Sequence, residues 1–159
     1  MKRNELRAML LEQPYDALVL TSEISRRYAT GFHSTAGAVY LSAKQAVFFT
    51  DFRYVEAAHA AINELLDEDG AKKVALEDKT LTYAEFMSWG TALHATAVRL
   101  EDGVEQLRMC KEEDEVEKIV AAQRIAEQAL EEVLNDIKVG VTEKEIAARL
   151  TYLMLHYGA

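Results

Sequence analysis

The segment Thr50-Asp51-Phe52-Arg53-Tyr54 is the stretch of this sequence whose residue types best suit contact with a ligand. An apolar run ends at Phe49, Asp51 can cap the helix that follows, and Arg53 then falls on its first turn. From there a long guanidinium can reach over the carboxyl edge of a sheet, a common ligand position. Capping and packing alone account for the same residues without a ligand. His33 is the second candidate, because it lies in the loop Gly31-Phe32-His33-Ser34-Thr35-Ala36-Gly37, and loops concentrate binding residues. The glycine spacing of that loop is wrong for phosphate binding, and no Lys-Ser/Thr pair follows it.

Other reactive types are isolated. Glu56 and His59 have the i, i+3 spacing of carboxylate-bridged dinuclear sites, but such sites need a second copy and further carboxylates on facing helices. His59 reads as a half-exposed polar residue on a helix, and His94 and His156 as structural or solvated histidines. The acidic run from Glu112 to Glu117 sits at a helix start and faces solvent. Cys110 reads as a small buried apolar residue. No G-x-S-x-G elbow, H-E-x-x-H pair or Cys/His zinc spacing occurs, so no catalytic or metal-binding set can be assigned to these residues.

Composition narrows the setting. The 159 residues are 50% hydrophobic and 28% charged, a profile that can bury a core, with a net charge of -9 and no cluster of lysines and arginines. That charge opposes binding to nucleic acid or anionic lipid. No apolar run approaches the roughly 18 residues of a membrane span. A single cysteine permits no internal disulfide, which fits a reduced cytoplasm.

The elements that must position Arg53 and His33 alternate between strand and helix. The pattern predicts a helix over 2–12, ended by the only proline, Pro14, and then a strand at Ala17–Leu20, apolar throughout as in a strand buried on both faces. A short polar helix ending at Gly31 follows. Ala38–Leu41 and Ala46–Phe49 flank four residues and read as an antiparallel hairpin. Beyond them come a helix over 52–65, a strand at 73–76, a helix over 82–94 opened by a Thr82/Glu85 capping box, and a strand at 97–100. The fold class is therefore α/β, a mixed sheet with helices on both faces, followed after Gly103 by helix alone.

The last fifty residues predict two amphipathic helices, over 112–138 and 142–157. Thr142 and Glu145 form a capping box, with Val141 stapled against Ile146. Val116, Ile119, Val120, Leu130, Val133, Leu134 and Ile137 stripe the first helix; Ile146, Leu150, Leu153, Met154 and Tyr157 stripe the second. One hairpin contact cannot cover stripes wider than about 100°. The expectation is that these faces pack against chain encoded further on, and that the 159 residues alone self-associate through them.

Six stretches fall in an order that resembles one family: Tyr28-Ala29-Thr30-Gly31-Phe32, Ser34-Thr35-Ala36-Gly37-Ala38, Phe49-Thr50-Asp51-Phe52-Arg53-Tyr54, Leu81-Thr82-Tyr83-Ala84-Glu85-Phe86, Leu107-Arg108-Met109-Cys110-Lys111 and Gly140-Val141-Thr142-Glu143-Lys144-Glu145. The chain is similar to the N-terminal part of Xaa-Pro aminopeptidases and Xaa-Pro dipeptidases (prolidases), within the creatinase and methionine aminopeptidase superfamily. The resemblance implies a creatinase-type N-terminal domain over 1–107. It also implies a linker and the first two helices of a truncated pita-bread metallopeptidase domain over 108–159.

In such a parent, a dinuclear manganese or cobalt site would be held by two Asp, one His and two Glu downstream of Ala159. This chain would hold no cofactor and be inactive alone. The partners implied are proline-containing peptides, in the full-length parent, and a second copy in a homodimer, with Arg53 and His33 at the substrate rim. Two alternatives share the architecture: a non-catalytic dimerisation or peptide-binding module that lacks the metal ligands, and a metal-free amidine hydrolase of the creatinase kind.

Overall fold

Ala17–Leu20 forms strand β1, and all four residues are buried. A run with no polar member is stable there because helices cover both faces of the sheet, while successive side chains point to opposite faces. The computed structural model describes residues 2–50 and 55–159. Around β1 the described elements are, in order, α1 (Lys2–Glu12), α2 (Glu23–Thr30), β2 (Ala38–Ser42), β3 (Ala46–Phe49), α3 (Val55–Asp69), β4 (Lys73–Leu76), α4 (Tyr83–Ala92), β5 (Thr96–Arg99) and α5 (Gly103–Met109). With the segment around them they make the first of two units, Met1–Met109, the second being Cys110–Ala159.

The five strands pair in the order β3-β2-β1-β4-β5. β1 is antiparallel to β2, with Val19 opposite Tyr40, and parallel to β4, with Leu18 opposite Ala75. The expected hairpin is present, Val39 opposite Phe48, and β4 and β5 are parallel. Alternation divides the core in two. Leu18, Leu20, Val39, Leu41 and Ala75 meet Leu6, Leu10 and Val104 of α1 and α5 on one face. Ala17, Val19, Tyr40, Val74 and Leu76 meet Ile62, Leu66 and Trp89 of α3 and α4 on the other.

Polar contacts finish the edge where β1 and β4 begin. Asp16 Oδ2 accepts from the Lys72 and Lys73 amides, each at 2.9 Å, and these two bonds hold its carboxyl below the usual range. The Tyr40 hydroxyl donates to Asp69 Oδ2 at 2.7 Å; burial, with Asp69 beside it, pushes the phenol well above its ordinary value. That contact explains why α3 runs on to Asp69 rather than stopping near 65: its last turn is needed to reach β2.

The second unit is a helical hairpin, α6 (Glu113–Leu134) and α7 (Glu143–His156). The Thr142/Glu145 capping box is formed, Thr142 N donating to Glu145 Oε2 at 2.8 Å. Ala129, Val133 and Leu153 are its buried centre, with Ile146, Leu150, Met154 and Tyr157 around them. α6 ends four residues before the expected 138, because the Asn135 side-chain amide donates to the Glu131 and Glu132 carbonyls and the Asp136 amide turns back to Val133. Local side-chain bonding of this kind competes with helix continuation. Val116, Ile119, Val120, Leu130, Leu134 and Leu155 stay exposed, as the width of the stripes requires.

Candidate functional site

The chain leaves β1 toward β2 and β3 on one side and later crosses to β4 and β5 on the other, so the topology switches between β1 and β4. Open α/β sheets bind ligands outside the carboxyl ends of their strands at such a switch. Here those ends are Leu20 and Leu76, and the residues that follow form a buried polar network. Glu77, 5% exposed, accepts from the amide of Thr21, from the amide of Ser22 at 2.8 Å and from the Ser22 hydroxyl at 2.8 Å. Ser22 caps α2, its Oγ accepting from the Ser25 amide at 3.1 Å. The carboxylate thus sits at a helix N-terminus, where the free amides and the helix dipole favour negative charge.

Arg26, 4% exposed, lies one helical turn further on. Its Nη1 donates to the Thr21 carbonyl, its Nε to Ser34 Oγ at 3.1 Å and its Nη2 to the Ser34 carbonyl at 2.8 Å. A buried cation and a buried anion therefore grip one backbone stretch from its two polar ends, Glu77 the N–H groups and Arg26 the carbonyl. Burying either charge without such bonding would cost several kcal/mol, about 3–5 on loss of one member of a buried set.

The loop 31–37 is fixed at both ends by backbone geometry. Gly31 has φ 72° and ends α2, its amide bonding to the Arg27 carbonyl. Gly37 has φ 138°, and a Cβ there would lie 2.3 Å from the Phe49 carbonyl oxygen, so no other residue fits. Those two requirements explain the glycines of the loop without phosphate. Within it His33 is solvent-facing, its Nε2 2.9 Å from Glu23 Oε1, with both side chains more than half exposed. An exposed pair of this kind contributes about 0–1 kcal/mol.

A cleft of about 410 Å³ opens beside the network, lined among others by Thr21, Ser22, Gly37, His59, Glu85 and Trp89. His59 is buried rather than half-exposed, because its ring stands edge-on to Trp89 with centroids 4.3 Å apart. Glu85 closes the Thr82 capping box; hydrogen bonds from Thr82 Oγ1 and Thr82 N hold its carboxyl below the usual range. The volume falls in the range of small-molecule pockets.

Arg53 and the capping position Asp51 lie outside the described residues, as does the Glu56 side chain. His33 is therefore the one sequence candidate placed, at the surface of a loop whose far end, Gly37, borders the cleft. His94 pairs with Asp67 at 2.9 Å, and His156 stacks on Tyr152 in the second unit. Cys110 is exposed, not buried. Among the described residues no three His, Cys, Asp or Glu side chains converge to hold a metal, and no helix is long and apolar enough to cross a membrane. The described residues therefore offer no donor set for the dinuclear metal that the resemblance implies. Sequence reasoning missed Glu77, Arg26 and Ser34. The available signal was a carboxylate directly after an apolar strand and an arginine inside a short helix.

The described topology, with its switch at β1/β4, can be set beside known proteins. A family model described as the Creatinase/Prolidase N-terminal domain matches residues 2–110. The chain belongs to that family. This creatinase/prolidase N-terminal chain is 36% identical to an Xaa-Pro dipeptidase from Bacillus anthracis, with a TM-score of 0.85 over 99% of its own length and 49% of that chain. An X-Pro aminopeptidase from Thermotoga maritima MSB8 is 29% identical, with a TM-score of 0.78 over 99% and 49% of the two chains. The uncharacterized peptidase YqhT of Bacillus subtilis is 30% identical over all of this chain and 50% of its own. The chain thus spans about half the length of these three relatives, and its similarity to them reaches through both units.

Proposed function

We propose that this chain serves as the N-terminal half of an Xaa-Pro peptidase, a hydrolase that cleaves the bond preceding proline. The observation that carries the reading is the similarity to the Bacillus anthracis Xaa-Pro dipeptidase, which extends past the family domain into α6 and α7. In this reading the first unit builds a homodimer and gates the substrate, while the exposed faces of α6 and α7 pack against the second half of the enzyme. Large apolar patches on a protein surface mark such contacts. The site of reaction is a cytoplasmic enzyme's, on proline-containing peptides.

A manganese or cobalt pair, held by residues outside this chain, would supply Lewis-acid activation of the scissile carbonyl when bound. The chain's own part is to position and select. His33, on a loop clamped at both ends, is the group offered to the substrate at the rim, and Arg53 is proposed for the same rim. The test is selectivity: a protein carrying this chain as its first half, supplied with manganese, is expected to hydrolyse Ala-Pro at least tenfold faster than Ala-Ala, a ratio worth about 1.4 kcal/mol of transition-state binding. Equal rates on both, or no hydrolysis by the folded protein, would overturn the reading and favour a non-catalytic binding module.

A further inference from the structure

We infer that Arg26 is the positioning residue of loop 31–37, and through it of His33. Among the described residues the loop's own amide bonds lie at its start, Gly31 N to the Arg27 carbonyl at 2.8 Å and Phe32 N to Thr30 Oγ1 at 3.0 Å, and the exposed His33–Glu23 pair is too weak to define a conformation. What holds its middle is the guanidinium of Arg26, which sends two of its three hydrogen bonds to Ser34, the residue next to His33. The donor fork fixes Ser34 in direction as well as distance, because Nε and Nη2 are coplanar and their acceptors are the hydroxyl and the carbonyl of one residue.

A role confined to the turn between β1 and α2 would need only the third bond, to Thr21. A positioning residue is useful only if it is itself immobile. Arg26 meets that condition by burial and by Glu77, which anchors the same Thr21–Ser22 stretch to the end of β4. The order is therefore β4 to Glu77, Glu77 to the start of α2, Arg26 to Ser34, and Ser34 to His33. Lysine at position 26 would keep the charge but could not replace the two-pronged contact. The consequence for substrate handling rests on the gating role proposed above; the consequence for loop order does not.

The experiment compares the unsubstituted chain with Arg26→Lys and with Ser34→Ala, the milder change that removes only one acceptor. Backbone 15N order parameters are read in loop 31–37 and, as an internal control, in β1 and β4. Arg26→Lys is expected to lower them in the loop from the rigid value of about 0.85 toward about 0.6, with the strands unchanged. Ser34→Ala should move the loop in the same direction by less. Unchanged loop order parameters in Arg26→Lys, or an equal fall in loop and strands, would overturn the assignment.

The same substitutions in a protein carrying this chain as its first half are expected to raise KM for Ala-Pro more than they lower kcat, as His33→Ala should. A loosened loop with unaltered KM and kcat would leave Arg26 as the positioning residue and overturn instead the contact of His33 with substrate.

Discussion

Replacing Glu77 gives a graded test of the network on which the loop depends. The carboxylate accepts from Thr21 N, Ser22 N and Ser22 Oγ, and at 3.5 Å from Thr21 Oγ1, and is 5% exposed. Alanine removes the acceptors and leaves the part-buried Thr21 and Ser22 amides and the Ser22 hydroxyl proton without a partner. At roughly 1–3 kcal/mol for each unsatisfied group, offset by water entering from the adjacent cleft, the expected loss is about 3–5 kcal/mol. Glutamine keeps one carbonyl oxygen for the two amides, and its NH2 can donate to Ser22 Oγ, so the loss should be about 1–2 kcal/mol. The single tryptophan, Trp89, is buried in the first unit, so its fluorescence during urea denaturation reports that unit alone. The midpoint should fall in the order unsubstituted, Glu77→Gln, Glu77→Ala, at constant slope. An alanine variant within about 1 kcal/mol of the parent, or a glutamine variant as unstable as alanine, would refute the reasoning.

Further outcomes follow from individual contacts. Gly37→Ala forces a Cβ onto the Phe49 carbonyl at a positive φ and is expected to lower stability by more than about 2 kcal/mol; a variant melting with the parent would contradict this. Asp16 has a depressed carboxyl pKa in the folded state, so its contribution is present above the unfolded value near 4 and disappears as the pH falls through the lower folded value. Asp16→Asn should therefore narrow the difference between Trp89 melts at about pH 7 and pH 3, and parallel curves would count against it. Serine at Ile119 and Val120 should lessen apolar-dye binding and shift sedimentation toward monomer, whereas an unaltered sedimentation profile would show that those faces do not mediate self-association.

How legible these features were depended on whether the deciding contacts are local. Ala17–Leu20 announced a strand covered on both sides, and Thr82/Glu85 and Thr142/Glu145 announced helix starts, because alternation and capping act over three or four residues. The end of α6 was misjudged because Asn135 competes for carbonyls that a periodicity argument assigns to the helix. β5 is Thr96–Arg99, one residue earlier than expected, because its register is set by pairing with β4 rather than by its own apolar residues. The network was invisible for the same reason. Glu77 and Ser22 are 55 residues apart, and no spacing rule joins them until the sheet brings the ends of β1 and β4 together. His59 and Cys110 were exchanged in burial because a histidine beside a tryptophan from another helix, and a cysteine at the start of a helical hairpin, take their exposure from tertiary neighbours.

The central claim, that these 159 residues position and select for a peptidase whose chemistry lies in a second half, is tested most directly by one paired assay. Hydrolysis of Ala-Pro and of a longer Xaa-Pro peptide is measured with manganese for the isolated chain and for a protein that carries it as its first half. The longer protein is expected to cleave and the isolated chain to remain at the uncatalysed rate. Cleavage by the isolated chain, or its absence in the folded longer protein, would contradict the account.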